Sequence, residues 1–295
     1  MEDLTVIRQS KFKTYLVFTK FRLSALVILS AISGYLFAGG TSIRELTFLI
    51  IGGILVTAAS NGANQIWEQN LDKLMNRTNK RPLPQGLMTT NEAYWVVVLS
   101  LIVGTGLLYL INLKSALLGV FAFASYVFIY TPMKQKSPWA VLVGAFPGAI
   151  PPFLGAIAAT NEFGLLPGVL FFVQFTWQFP HFWAIAWILH EDYQRAGFYL
   201  LPSKSGKSKF SAFLVMVYSL ALIPFSLIPW LMGWCGNITM VLASVLGIMF
   251  FVYSYKLYLS CEDKDARKLM FASFVYLPII QFVYVFNRIE PLIPN

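Results

Sequence analysis

Three side chains that carry hard oxygen ligands, Asn64, Glu68 and Asp72, are spaced at i, i+4 and i+8. On a helix of 3.6 residues per turn these positions share one face, drifting about 40° per step. An amide oxygen and two carboxylates stacked in this way suit Mg2+, which takes one or two carboxylates and leaves its other positions to water and substrate phosphate. Arg77, Lys80 and Arg81 follow directly, and their N–H groups could grip phosphate oxygens. A second cluster, His190-Glu191-Asp192-Tyr193, places Glu191 and Asp192 at a similar boundary. Two acidic sites on opposite sides of a cavity could hold metal ions that bridge a diphosphate. Lys134 can reach a phosphate site, and it also serves as an ordinary cytoplasmic anchor. His181 stands eleven residues before Asp192 in an apolar segment. An imidazole inside a membrane segment is a functional candidate; a hydrogen bond to a neighbouring helix explains it equally well.

The elements that must position these residues are membrane helices. Hydrophobic residues make up 57% of the 295 and charged residues 12%, about half the charge a soluble domain carries. So few charges cannot cover a water-facing surface, and the long apolar runs lack the alternation of a β-barrel. The net charge of +9 lies in loops between apolar runs, which argues against nucleic-acid binding. Two cysteines, Cys235 and Cys261, make no disulfide framework and no CxxC motif.

At about 20 apolar residues per span, nine spans are expected, roughly at 21–39, 46–67, 92–112, 115–132, 138–160, 165–188, 210–232, 237–258 and 268–287. The expected fold is thus an all-α integral membrane domain covering 1–295, with 1–20 a cytoplasmic amino-terminal segment. About nine transmembrane helices would surround a central cavity open near the cytoplasmic face. The fifth span carries Pro147, Pro151 and Pro152; broken helices are tolerated where freed backbone faces protein or a water-lined cavity, which predicts a kink and a cavity there. Nineteen of the 22 Lys and Arg fall on one side of these spans, with only Arg44, Lys114 and Arg288 on the other. The inside-positive rule then puts the amino terminus in the cytoplasm and the carboxyl terminus outside.

The string Asn64-x3-Glu68-x3-Asp72, followed by Arg77-Thr78-x2-Arg81-Pro82-Leu83-Pro84-x-Gly86, resembles the first Asp-rich motif and basic tail of the UbiA superfamily of intramembrane prenyltransferases. Gly144 to Gly155, and Pro180-His181-Phe182-Trp183 running to Glu191-Asp192-Tyr193, are similar to its haem-modifying branch. The resemblance covers about residues 15 to 285. Glu68 stands where the family usually has Asp. The second Asp-x3-Asp of the quinone-type branch is absent, since Ile188 and Ala196 flank Asp192 at four residues.

The resemblance implies transfer of a farnesyl group from farnesyl diphosphate to a vinyl group of haem b. It implies Mg2+ as cofactor, a bacterial inner membrane location and a downstream haem A synthase as candidate partner. Asn64, Glu68, Asp72, Glu191 and Asp192 would hold metal, with Asn64, Glu68, Asp72 and Asp192 forming the catalytic set. Arg77, Lys80, Arg81 and Lys134 would bind diphosphate, Tyr193 would contact substrate, and His181 is a candidate haem contact. A quinone-precursor prenyltransferase of the same superfamily is the alternative. A transporter would also use intramembrane polar groups and broken helices, but no inverted repeat is visible and the acidic clusters all lie on one side.

Overall fold

The protein is described by a computed structural model covering residues 10–289. All its regular elements are helical, in the order α1 (Lys11–Phe18), α2 (Phe21–Phe37), α3 (Ile43–Trp67), α4 (Gln69–Asp72), α5 (Thr90–Tyr109) and α6 (Leu113–Ala124), then a π-helical turn (Ser125–Tyr130) and α7 (Thr131–Met133). There follow α8 (Ala140–Thr160), α9 (Leu165–Ile188), α10 (His190–Arg195), α11 (Lys209–Leu231), α12 (Asn237–Ser260) and α13 (Asp263–Phe286).

Local sequence sets the ends of these helices. Thr89 and Glu92 form a reciprocal capping box at the start of α5, and Ser42, Asn112 and Ser208 each accept a backbone N–H at the start of α3, α6 and α11. Asn161 and Cys261 stop α8 and α12 in the left-handed conformation, each at φ 53°.

Among the described residues, seven helices are long and apolar enough to cross a membrane, or eight if α1 and α2, bent by 53°, form one span. Two of the nine expected spans fall outside the seven for physical reasons. The α2 helix is only 17 residues long by itself. The α9 helix has 24 residues but buries Gln174, Gln178 and His181, which lower its hydropathy. Such a helix is read as apolar only when its polar side chains have protein partners.

Those partners are present. Pro152 has no N–H to give the carbonyl of Gly148 one turn earlier. Gln174 Nε2 takes that carbonyl at 2.8 Å, and its own Oε1 accepts from Gln281 Nε2 of α13 at 2.9 Å. Ser30 of α2 donates to Gln281 Oε1 at 3.2 Å. The three prolines therefore leave α8 a single helix from Ala140 to Thr160. The void beside Pro152, Gln174 and Gln281 is only about 10 Å³. Helices α2 and α8 touch backbone to backbone there: a Cβ on Gly34 would lie 2.1 Å from Pro152 O, and one on Gly155 1.9 Å from Ala31 O. Small residues that allow such close approach are a device of membrane helix packing.

One end of the bundle is tied by Asn112 to Ile157 O, Lys114 to Asn161 O and Arg288 to Leu36 O. The acidic clusters gather at the other.

Candidate active site

The site begins where α3 ends. Glu68 has φ −92° and ψ 8°, interrupting the helix, yet Glu68 N still bonds Asn64 O at 2.9 Å and Asp72 N bonds Glu68 O at 2.8 Å. The i to i−4 ladder thus carries across the break and keeps Asn64, Glu68 and Asp72 in register. All three side chains are buried.

Each meets a different partner. Asn64 Nδ2 donates to Thr131 Oγ1 at 3.2 Å, and Thr131 donates its own proton to Tyr126 O at 2.9 Å. The hydroxyl can therefore only accept from Asn64, which fixes the amide orientation and leaves Oδ1 as the free acceptor. Thr131 stands at the end of the π-helical turn, whose widened ladder places its hydroxyl; such turns are frequent at functional sites. Glu68 Oε1 accepts from Lys134 Nζ at 2.8 Å. Lys134 lies 4.6 Å from the Tyr130 ring centroid and 5.7 Å from that of Phe198. Burial works to lower the Lys134 ammonium, but Glu68 and the Tyr130 and Tyr126 hydroxyls outweigh it and hold it above the ordinary lysine value.

Asp72 is 0% exposed and receives Arg81 Nη1 on both carboxylate oxygens at 2.7 Å. Burial pushes the Asp72 carboxyl up, and the Arg81 guanidinium only partly offsets this. Thr78 donates to the Asp72 carbonyl, and Met75, Thr78 and Leu83 are buried, which folds the loop after α4 back over the site.

Asp192, on α10, accepts the backbone N–H of Asn76 at 3.1 Å and of Arg77 at 3.0 Å, and also pairs with Arg195. Burial opposes its charge, but the Arg77 N–H, the Arg195 side chain and the Asn76 N–H together keep its carboxyl below the usual range. Both oxygens are thereby engaged in holding the loop that carries Arg77. The Arg77 guanidinium reaches Tyr193 Oη at 3.5 Å and lies 5.7 Å from its ring centroid.

Glu191 and Lys80 are exposed. Neither forms an ion pair with the cluster among the described residues. His181 lies deeper in α9, with its Nδ1 2.6 Å from Ser273 Oγ.

The Thr19-Lys20-Phe21-Arg22 entry to the first span is similar to the family's Lys-Pro-Arg, a resemblance that by itself assigns Lys20 no role in the site. Lys20 sits between α1 and α2 at φ 50°, half-buried, where its ammonium lies in the field of Arg81, Lys134, Arg77 and Glu68. The left-handed backbone at Lys20 is a second signal, which only the structure shows.

Among the described residues no three His, Cys, Asp or Glu side chains converge to hold a metal by themselves. The donor set nevertheless fits Mg2+. Asn64 Oδ1 has no partner among the described residues, Glu68 and Asp72 would supply two carboxylates in register, and an ion with few protein ligands would complete its shell from water and diphosphate.

Acids paired with cations thus gather at one end of a helical membrane bundle. The UbiA prenyltransferase family matches residues 27–276, and the chain belongs to that family. It is a prenyltransferase. It is 47% identical over 283 residues to the protoheme IX farnesyltransferase of Cytophaga hutchinsonii, covering 95% of this chain and 99% of that one. It is 35% identical to the protoheme IX farnesyltransferase of Aquifex aeolicus, covering 95% and 97%. The fold is shared with a solved digeranylgeranylglyceryl phosphate synthase (TM-score 0.78, 20% identity, 94% and 98% covered). It is also shared with a UbiA homolog from Archaeoglobus fulgidus bound to GPP and Mg2+ (TM-score 0.62, 16% identity, 92% and 99% covered).

Proposed function

We propose that this chain transfers the farnesyl group of farnesyl diphosphate to a vinyl group of haem b, giving haem O and diphosphate. The observation that carries the reading is the interleaving of Asn64, Glu68 and Asp72 with Lys134 and Arg81 at the end of α3. The near full-length similarity to curated protoheme IX farnesyltransferases supports haem b as acceptor.

Asn64, Glu68 and Asp72 would hold Mg2+, as the GPP and Mg2+ bound to the Archaeoglobus fulgidus relative support. When bound, the ion would offset the charge that gathers on the leaving diphosphate. Lys134, Arg81 and Arg77 supply cationic N–H donors to the phosphate oxygens. Asp192 fixes the Arg77 backbone so that this guanidinium is in place before substrate arrives. The loop folded over Asp72 limits water at the breaking bond. The C–O bond of farnesyl diphosphate breaks with its electron pair on diphosphate, and a vinyl carbon attacks the allylic cation. Water then adds to the resulting cation and releases a proton. Tyr193 lines the Arg77 side; Lys80 and Glu191 act at the rim, where a bound diphosphate would draw in Lys80.

The test is a reconstituted assay with haem b and farnesyl diphosphate, products read by mass. Haem O formation is the expected result. A product on a quinone precursor, with haem b unchanged, would overturn the acceptor.

The chain is further proposed to form one domain of nine spans in the bacterial cytoplasmic membrane, with a central chamber opening near the cytoplasmic face and a downstream haem A synthase as partner. With nineteen of 22 Lys and Arg on the side of the acidic site, that side is cytoplasmic. A reporter fused after Asn295 is expected to read as periplasmic, and one inserted near Lys204 as cytoplasmic. A cytoplasmic carboxyl terminus would leave an even number of spans.

A further inference from the structure

Asn61 and Gln65 lie one turn apart on α3, deeper in the bundle than the acid pair Glu68 and Asp72, and the metal and diphosphate chemistry uses neither. Asn61 is 4% exposed and Gln65 0%. Gln65 Nε2 donates to the carbonyls of Phe18 and Asn61, the latter at 3.4 Å. Two carbonyls on Nε2 fix the amide, so Oε1 is the acceptor left over. Gln65 Oε1 and Asn61 Nδ2 are both enclosed, and neither meets a hydrogen-bond partner among the described residues. An enclosed donor or acceptor costs stability unless something bonds it. Here one of each stands side by side, since positions i and i+4 put their Cβ atoms about 5–6 Å apart. One water bridges such a pair by accepting from Asn61 Nδ2 and donating to Gln65 Oε1.

The pair faces the site. Glu68 and Asp72 follow Asn61 by seven and eleven residues, so around a helix of 3.6 residues per turn Asn61 stays within about 20° of both. Along the axis, Gln65 is about 4.5 Å and Asn61 about 10.5 Å deeper than Glu68. The end of α1 packs at this level, where a Cβ on Gly62 would lie 2.8 Å from the Phe18 ring. Two residues beyond Phe18, Lys20 stands in the field of Arg81, Lys134, Arg77 and Glu68. The elbow that Gln65 ties to α3 therefore closes over the same cluster as the acids.

We infer that Asn61 Nδ2 and Gln65 Oε1 hold the water that completes the proposed transfer, a reading that rests on a haem vinyl group being the acceptor. The outer vinyl carbon bonds the farnesyl carbon as diphosphate leaves, and the positive charge passes to the vinyl carbon next to the porphyrin ring. The held water gives a lone pair to that carbon and forms the C–O bond. Its surplus proton goes to the departing diphosphate, which leaves a hydroxyl on the product. Loss of a proton from the outer vinyl carbon would instead give an alkene. Two amides suit hydration, because they hold water but are too weakly basic to take that proton. A carboxylate or an imidazole at the same place would compete for it.

The experiment turns over the full-length protein with haem b and farnesyl diphosphate in heavy-oxygen water. It reads by mass the ratio of hydroxylated product to the alkene, which is lighter by one water. The parent is expected to give hydroxylated product carrying the solvent label. Asn61→Leu removes both polar atoms and is expected to lower the ratio about tenfold or more, the cost of one lost hydrogen bond to the reacting water. Asn61→Ser restores a donor and should recover the ratio. Gln65→Met should lower it as Asn61→Leu does, and it decides the matter where Asn61→Leu does not fold. The ratio is set within each turnover, so a smaller folded fraction leaves it unchanged.

A parent-like ratio in the folded variants overturns the assignment. Loss of both products in a folded Asn61→Leu that still binds farnesyl diphosphate overturns it as well, because the amide then serves the attack and not the water. A parent that leaves haem b unprenylated, or prenylates it without taking up solvent label, would instead sink the proposed transfer, a failure separate from these.

Discussion

Replacing Asp72 with Asn is expected to lower turnover by about 10²–10³-fold, the cost of removing one preorganised charge from a site that stabilises a charged transition state. Stability should change little. The amide keeps the shape of the carboxylate and still accepts a hydrogen bond from Arg81, now at 2.7 Å from both oxygens. The Arg81 side chain is 13% exposed at the end of the bundle, so water can complete its shell. The loss should therefore fall on the chemistry. Asp72 is fully buried, and burial disfavours its charge despite Arg81, so a bound cation would favour its ionised form. Turnover measured against Mg2+ concentration, beside a thermal melt of the same preparation, checks this. Near-parent turnover at limiting Mg2+ would remove Asp72 from the metal set. A melt lowered by tens of degrees would make the acid structural.

The register of this site was legible because it is local. Asn64, Glu68 and Asp72 follow a period of four, and the backbone ladder through Glu68 preserves that period across the helix break. What each acid meets was not legible, because every partner is distant or depends on a turn. Lys134 reaches Glu68 across 66 residues, and Asp192 takes two backbone N–H groups 115 and 116 residues away. No pattern in the sequence sets those pairings. Glu191 and Asp192 read alike as neighbouring acids, but successive helical positions point about 100° apart, and only Asp192 is turned inward. The span count shows the same limit. Gln174 and Gln178 lower the hydropathy of α9, yet the carbonyls of Gly148 and Ala145 accept their amide protons. Lys20 was legible only as part of a family-like string at the entry to the first span, because its place beside the cluster comes from a left-handed backbone.

The second large effect belongs to Lys134 and Glu68, and a double-mutant cycle separates their two roles. Both side chains are under 10% exposed and 2.8 Å apart. Lys134→Met removes one charge and leaves Glu68 buried without its counter-ion. Breaking a buried pair from one side costs about 3–5 kcal/mol, whereas neutralising both partners is often close to neutral. Lys134→Met is therefore expected to lower unfolding stability by about that amount, and the double variant Lys134→Met with Glu68→Gln to recover to within about 1 kcal/mol of the parent. Turnover should not recover with it. The double variant lacks a phosphate donor and a carboxylate, so its turnover should stay about 10²-fold or more below the parent. Glu68→Asp keeps the charge and shortens the arm by one methylene; it is expected to hold both stability and most of the turnover, since water can bridge the gap to Lys134. Denaturant unfolding and steady-state turnover on the four members of the cycle read the two quantities apart. If the double variant is as unstable as the sum of the singles, the ion pair is not what couples these residues. If it regains turnover along with stability, Lys134 and Glu68 hold the end of α3 to the loop after α7 and take no part in handling the diphosphate.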